Sequence, residues 1–203
     1  MQYAYMAPSA ALTGTAAGKV TSDETLVGLV AQGDKDAMRL LFARHNVRVF
    51  RFLVRMVGNE ATAEDLLNEV FIDVWRNAAR FEARSQVSTW MLAIARYKAL
   101  ASLRRRSTDE LDDDADERLE DPADDPETVM QKTDRSALLQ DCLKQLSLAH
   151  RQVIDLVYYH DQSIDEVANI IGVTQSTVKT RMFYARKRIA EMMAERGLER
   201  AWL

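Results

Sequence analysis

Residues 163–188 read SIDEVANIIGVTQSTVKTRMFYARKR, and this stretch decides the fold. Its first four residues, 163–166, form a Ser-x-x-Glu capping box, in which each side chain satisfies a free backbone N–H at a helix start. Two touching helices then need a small residue, a turn residue with positive φ and an apolar residue beyond the turn. Ala168, Gly172 and Val178 meet these needs in order. The stretch therefore predicts a helix-turn-helix.

The second helix of this pair carries charge of one sign. Thr174 can cap its start, and five basic residues and no acidic one lie between Thr174 and Arg188. Polar residues fill its first turn, the part of a helix-turn-helix that normally meets base edges in the major groove. These features favour DNA docking. A helical hairpin whose basic face is merely solvated is the alternative.

Helical periodicity also dominates residues 21–106, where apolar residues recur three and four positions apart. We expect helices to begin at a capping box headed by Thr21, at Asp34 after a glycine, at Asn59 and at Ser88. Only seven Gly and three Pro occur in 203 residues, and no proline interrupts a periodic segment. This pattern argues against an all-β sandwich and predicts an all-α protein.

The net charge of −4 is distributed unevenly along the chain. Residues 34–106 have 14 basic and 8 acidic side chains, residues 107–130 have one basic and 12 acidic, and residues 131–203 have 11 basic and 9 acidic. The acidic segment also holds two prolines, so it repels itself and buries little. We expect a disordered or extended linker. It is either a solvated spacer or an acidic segment that occupies a basic channel meant for nucleic acid.

A second basic surface is expected within residues 76–106, where arginines and a lysine alternate with Phe81, Trp90 and Tyr97. This combination suits single-stranded nucleic acid, because cations follow the backbone and rings stack on bases. The structural alternative is that Trp90 belongs to the core and that the arginines 104–106 only complement a helix C-terminus.

The sequence offers little for an enzyme, a metal site or a membrane segment. The single cysteine, Cys142, excludes a disulfide framework, and with His150 and His160 it makes a poor zinc spacing, so we expect it to be a small core residue. No apolar run approaches the roughly 20 residues that cross a bilayer. The N-terminus lacks the basic start of a secretory signal. We expect a cytoplasmic protein that is not an enzyme, has no cofactor or metal, and does not insert into a membrane.

Taken together, these features resemble the bacterial RNA polymerase sigma factors of the extracytoplasmic-function (ECF) type. AEDLLNEVFIDVWRNAARFEARSQVSTWMLAIARYKALASLRRR resembles their region 2, and LKQLSLAHRQVIDLVYYHDQSIDEVANIIGVTQSTVKTRMFYARKRI resembles region 4. The resemblance implies two small helical domains joined by an acidic flexible linker. The implied boundaries are a disordered extension at 1–20, region 2 at 21–106, the linker at 107–131, and region 4 at 132–203.

The resemblance also implies sites on region 2. Its Asp-Leu-x-Gln-Glu pattern, here with Asn68 in place of Gln, implies docking on the clamp helices of the polymerase β′ subunit. The implied polymerase-binding residues are Asp65, Leu66, Asn68, Glu69, Ile72 and Trp75. The loop 81–88 and the following helix imply flipped-base capture and melting of the −10 element, although Tyr97 stands where the family often has Asn. The implied −10 residues are Arg80, Phe81, Arg84, Ser85, Trp90, Arg96, Lys98, Arg104, Arg105 and Arg106.

Region 4 is expected to read the −35 element with the second helix of the helix-turn-helix. The implied residues are Thr174, Gln175, Ser176, Thr177, Lys179, Thr180, Arg181, Tyr184, Arg186, Lys187 and Arg188. The helices around 143–159 would meet the β flap, and the acidic linker would follow the RNA-exit path. The implied partners are core RNA polymerase, promoter DNA and a cognate anti-sigma factor.

Two alternatives remain at the level of the sequence. One is an ordinary helix-turn-helix regulator that does not depend on core polymerase, and the other is a helical interaction module without a DNA role. Binding to core polymerase discriminates between them and a sigma factor.

Overall fold

The structure, a computed structural model, describes residues 21–109 and 141–196, and the predicted N-terminal extension and most of the acidic linker lie outside these ranges. Within them the regular structure is helical, without a strand, which confirms the all-α prediction. None of the described helices is long and apolar enough to span a bilayer. The helices are α1 (Asp23–Ala31), α2 (Lys35–Val57), α3 (Glu60–Asn77), α4 (Val87–Asp109), α5 (Leu148–Ile154), α6 (Ile164–Ile171) and α7 (Gln175–Glu195).

Short irregular helical elements link these helices. A 3-10 turn at Ala78–Arg80 follows α3, and a π-helical turn at Asp155–Tyr159 continues α5. A further helical stretch at 141–145 precedes α5. Single π-turns within α-helices are rare and often lie at functional positions.

Side-chain caps set three of the predicted helix starts. The Asp34 carboxylate accepts the first free N–H groups of α2, and the Asn59 side chain accepts the N–H of Thr62 in α3. The capping box at Ser163 is complete, because the Ser163 hydroxyl accepts the N–H of Glu166 and the Glu166 carboxylate accepts the N–H of Ser163. These predictions are confirmed.

Two predicted caps are wrong, the first by one residue and the second by two. Ser22, not Thr21, caps α1, and its hydroxyl accepts the N–H of Thr25 at 3.2 Å. The helix α4 begins at Val87, ahead of the predicted cap Ser88. Val87 is 1% exposed. Burial of this side chain in the core, rather than a cap by the Ser88 hydroxyl, therefore decides where the helix starts.

Helices α1 to α4 form a bundle around one apolar core. Its fully buried members include Leu41, Phe52, Leu53, Val70, Val74, Met91 and Leu92. The α1 helix is fixed to α2 by Asp23, which accepts from Arg44 at 2.6 Å and lies 2.7 Å from His45 Nε2. Although burial acts to raise the pKa of Asp23, hydrogen bonds from Arg44 and His45 and their charges lower it overall.

Helices α5 to α7 build the predicted helix-turn-helix around Val167, Leu156 and Val178, each 0% exposed. Cys142 is also buried, as expected for a small core residue. Gly172 ends α6 with φ of 74°, in the left-handed region. Thr174 caps α7 by accepting the N–H of Thr177. The turn therefore has the chemistry that the sequence predicted.

Replacing Gly172 with alanine should destabilise the protein by about 1 kcal/mol, because the left-handed backbone crowds a Cβ. No atom lies within 4 Å of that Cβ, so the cost comes from the backbone alone. Gly28→Ala is the matched control, since Gly28 lies inside α1 with equally open space and should gain stability from the same change. Urea denaturation measures the free energy of unfolding of both variants. A change of the same sign in the two variants would contradict the prediction.

Candidate nucleic-acid interface

One exposed face of α3 carries most of the residues expected to bind polymerase. Asp65, Asn68, Ile72 and Trp75 follow at three- and four-residue spacing and are all exposed, Ile72 at 48% and Trp75 at 36%. We call these four residues the α3 face. The prediction that Leu66 binds polymerase is wrong, because its side chain is 2% exposed and packs inside the bundle. An apolar pair bordered by polar groups on an exposed helix is typical of a protein-binding surface.

A cleft of about 420 Å³ opens beside this helix, between α3 and α4. Trp90 and Tyr97 supply aromatic walls, and Asp73, Asn77 and Arg80 supply polar groups. Tyr97 is 71% exposed, so its ring is available to a ligand in the cleft. Asp73 and Asn77 did not stand out in the sequence. The size and lining of the cleft suit a planar ring.

The loop between α3 and α4 is anchored by its aromatic residue. Phe81 is half-buried, and its ring centroid lies 4.9 Å from that of Trp90. Ala83 adopts φ of 53°, a left-handed conformation that costs a non-glycine residue energy. Arg84 is exposed and pairs with Glu82 at 2.5 Å, and Ser85 is half-buried. The loop thus holds Phe81 against Trp90 and leaves the Arg84 guanidinium at the surface.

Lys98 does not match its predicted role in binding DNA. Its ammonium contacts Asp73 at 3.0 Å and Glu69 at 3.1 Å, and the side chain is only 20% exposed. Hydrogen bonding to Asp73, followed by that to Glu69, raises the pKa of Lys98 above its ordinary value. Its charge therefore ties α4 to α3. The same contact half-covers Glu69, which was expected to bind polymerase.

The other predicted cations of this surface lie on or near α4. Arg80, Arg104 and Arg105 are exposed, and Arg96 and Arg106 are half-buried. Arg96 donates through Nε to Gln152 Oε1 at 3.2 Å. Burial lowers the pKa of Arg96, and the nearby charges of Arg181 and Arg104 lower it further. Cations from α4 and α7 therefore lie close together.

The first two turns of α7 carry a row of polar and basic side chains. Gln175, Ser176, Lys179 and Thr180 are exposed, and Thr177 and Arg181 are half-buried. Several of these residues line a cleft of about 380 Å³. Its lining residues are His150, Ser176, Thr177, Thr180, Arg181 and Tyr184. His150 comes from α5 and was not predicted, because its place depends on how α5 packs against α7.

Some members of this surface already have intramolecular partners. Gln175 Nε2 donates to Asp165 at 2.8 Å, Arg188 contacts Glu191 at 3.4 Å, and the Arg186 guanidinium lies over the Tyr158 ring. Gln175, Arg186 and Arg188 are all exposed. Lys187 and Tyr184 are also exposed. In water such pairs are weak, so these side chains can exchange partners for phosphates.

No group of three or more potential metal ligands occurs within 21–109 and 141–196. The predicted functional residues therefore form three surfaces: the α3 face, the cleft and loop beside α4, and the start of α7.

Family models match both halves of this arrangement. The model of Sigma-70 region 2 matches residues 41–108, and that of Sigma-70 region 4 matches residues 142–191. RNA polymerase sigma factor CarQ of Myxococcus xanthus is 33% identical over 169 residues, which are 82% of this chain and 95% of that protein. The ECF RNA polymerase sigma factor SigL of Mycobacterium tuberculosis is 28% identical over 171 residues, 84% of this chain and 96% of its own.

Two solved structures share the fold. The sigma factor RpoE of Bartonella quintana, in complex with the anti-sigma factor NepR, has a TM-score of 0.64 and 23% identity, covering 77% of this chain and 96% of that one. CnrH in complex with the cytosolic domain of CnrY has a TM-score of 0.63 and 21% identity, covering 85% and 97%.

Proposed function

The chain belongs to the sigma-70 family of RNA polymerase sigma factors, of the ECF type, and on that premise we propose how its surfaces divide the work of promoter recognition. It is a sigma factor, which directs core RNA polymerase to promoters. We refer to α1–α4 as region 2 and to α5–α7 as region 4. The alternative of an ordinary regulator is not favoured, because the relatives match across both regions.

Region 2 performs two tasks from different helices. The α3 face docks on the clamp helices of β′, while the α4 surface with its loop and cleft receives the melted −10 strand. Aromatic walls beside cations suit unstacked bases and their phosphates. Extruding a base costs a few kcal/mol, which capture in such a site partly offsets.

Region 4 reads the −35 element in the major groove with the start of α7, and its other helices meet the β flap. The observation that carries the assignment is that two different helices, α4 and α7, each present a surface of cations and polar or aromatic side chains. Each has too few cations to hold DNA firmly alone. Tethering both to core polymerase raises their effective concentration at adjacent promoter elements.

A cognate anti-sigma factor is proposed as the third partner. Two structural neighbours, RpoE and CnrH, were solved in complex with NepR and with the cytosolic domain of CnrY. The relatives are transcription initiation factors, so we assign this chain no catalytic step, cofactor or metal. Its proposed place of action is the cytoplasm, where the polymerase is.

The first experiment is co-elution of the purified chain with bacterial core RNA polymerase on a sizing column. Co-elution followed by transcription in vitro from genomic DNA fragments supports the function, and the transcript starts locate the promoters. Failure to bind core, with duplex DNA bound by the chain alone, would instead support the ordinary regulator.

Lys179→Ala should weaken promoter binding by the holoenzyme about 5- to 100-fold, because one contact to a base or phosphate is lost. Lys179 is exposed in the first half of α7, so the fold should be unaffected. The measurement is a titration of holoenzyme on a promoter found as above, at two salt concentrations. Losing a phosphate contact lowers the salt slope by about 1.

Lys35→Ala is the matched control, since Lys35 is an exposed lysine on α2 outside the proposed surfaces. It should leave promoter affinity unchanged. An equal loss of core-polymerase affinity in Lys179→Ala would contradict the assignment of α7 to DNA.

A further inference from the structure

The cleft between α5 and α7 places a histidine from outside the helix-turn-helix against the helix that is proposed to read the −35 element. This histidine is His150 of α5, and it is half-buried. The α7 wall of the cleft supplies three hydroxyls, a guanidinium and a phenol, and none of the lining residues is acidic. Hydroxyls, guanidinium groups and protonated imidazoles are all donors to anions. The lining is therefore suited to an anionic ligand.

Two groups in this cleft that can carry positive charge lack a protein partner. Elsewhere, the half-buried Arg44 and Arg55 pair with Asp23 and Asp155. Within the part of the chain that the structure describes, neither the Arg181 guanidinium nor the His150 ring forms a hydrogen bond or an ion pair. The Ser147 hydroxyl accepts only the backbone N–H of His150. The cleft thus holds donors that remain available to a ligand.

The elements that pack against α5 provide no carboxylate for His150. These elements are α7, the π-turn and α2. Their titratable and charged groups on this side are Arg181 and Tyr184 on α7, Asp155, Tyr158 and Tyr159 in the π-turn, and Arg48 and Arg55 on α2, with Arg151 on α5 itself. Asp155 is the one acid among them, and it pairs with Arg55 and lies 3.2 Å from His160. Arg151 donates to backbone carbonyls. A negative partner for His150 must therefore come from a ligand.

The position of the cleft on α7 indicates which ligand this is. Ser176 and Thr180 lie one turn apart on the exposed row of α7 and also line the cleft. Thr177, Arg181 and Tyr184 follow at four- and three-residue spacing, so they form the adjacent flank of the same helix. The phosphate backbone borders the major groove on both sides of a recognition helix, and side chains beside the base-reading row contact phosphates. The cleft volume of about 380 Å³ is sufficient for a phosphodiester group.

We propose that this cleft is a binding site for a backbone phosphate beside the −35 element, and that protonated His150 acts there together with Arg181. This inference rests on the proposed function of α7. Histidine gains its charge between about pH 8 and pH 5, so the site has two cations at the acidic end of this range and one at the basic end. The contribution of His150 is present at low pH and is lost as the pH rises. Through this residue, promoter affinity should fall about 10-fold between about pH 6 and pH 8.

The test measures binding of the holoenzyme to a promoter located by its transcript start, in buffer without phosphate. His150→Gln keeps an N–H donor but cannot be protonated. It should bind about 10-fold more weakly than the unchanged chain at about pH 6, and equally well at about pH 8. His150→Arg is charged at both pH values and should bind tightly at both. Gln145→Arg is the matched control, because it adds the same charge at an exposed position outside the cleft, and it should keep the pH dependence of the unchanged chain.

A second readout locates the phosphate. The phosphates around the −35 element are replaced one at a time by uncharged methylphosphonates. At one position the loss of affinity at about pH 6 should be smaller for His150→Gln than for the unchanged chain, because both changes remove the same contact. Equal losses at every position would overturn the proposal, and so would an equal pH dependence of the two chains. If added inorganic phosphate abolishes the effect of His150→Gln while no backbone position couples to it, the cleft binds a free anion and the proposal also fails.

Transcription with core polymerase and the Lys179→Ala variant separate this inference from the function beneath it. If the unchanged chain does not initiate transcription with core, the proposed function itself fails. If Lys179→Ala weakens promoter binding but His150→Gln matches the unchanged chain at each pH, only the phosphate site fails. Circular dichroism should show the His150 variants folded, since the ring forms no hydrogen bond within the described residues.

Discussion

Ile72→Glu should lower the affinity of the chain for core RNA polymerase about 100-fold and abolish co-elution at moderate salt. Ile72 is 48% exposed at the centre of the α3 face, with Trp75 one turn further along. Central apolar residues of an interface commonly supply 2 kcal/mol or more of its binding free energy, and about 2.7 kcal/mol corresponds to 100-fold. A buried glutamate would add an unpaired charge to that loss.

Tyr97→Glu is the control for this variant, since it puts the same charge on an exposed ring of α4 beside the cleft. It should bind core normally and fail to open promoters, because a carboxylate there repels the DNA backbone. Circular dichroism should show both variants folded. Normal core binding by Ile72→Glu would remove the α3 face from the proposed polymerase contact.

The fold was predictable where local chemistry decides it. Ser163, Gly172 and Thr174 set the helix-turn-helix through a capping box, a left-handed turn and a cap, all within a few residues of each other. Ser88 is not the cap because α4 starts two residues earlier than that cap requires, with Val87 buried as the first residue of the helix. Where a cap competes with packing, packing decides.

The candidate surfaces were predictable in outline but not residue by residue. The polymerase-binding residues of α3 came from the family pattern, which includes both Asn68 and Leu66. Residues two positions apart on a helix do not share a face, and Leu66 accordingly packs in the core while Asn68 is exposed. Lys98 was counted as a DNA-binding cation from its charge alone. Its two acidic partners on α3 lie 25 and 29 positions earlier in sequence, so their contact required the packing of α3 on α4.

The contact between regions 2 and 4 lay furthest from sequence reasoning. Arg55 of α2 donates to the carboxylate of Asp155 in the π-helical turn, 100 positions later in the sequence, and no local rule pairs them. One signal was available, namely a single acid inside the apolar run VIDLV. An acid in such a run predicts a buried partner but does not identify it.

Phe52→Ala should destabilise the protein by about 3–5 kcal/mol, because a ring that is 0% exposed leaves a cavity in the core of region 2. The thermal midpoint should fall by about 10 °C. Val47→Ala on the same helix is the control, since Val47 is 54% exposed and should cost less than about 0.5 kcal/mol.

Phe52 also meets His160 of region 4 edge-on, with ring centroids 5.6 Å apart. The core of region 2 therefore continues into the contact with region 4, and the cavity left by Phe52→Ala should weaken both. With dyes on Glu24→Cys in α1 and Glu195→Cys in α7, both exposed positions, this variant should lengthen the distance between the two helices below its unfolding temperature. A lower thermal midpoint with an unchanged distance would mean that Phe52 supports region 2 alone. The contact between the two regions would then owe its strength to the Arg55–Asp155 ion pair and its hydrogen bonds.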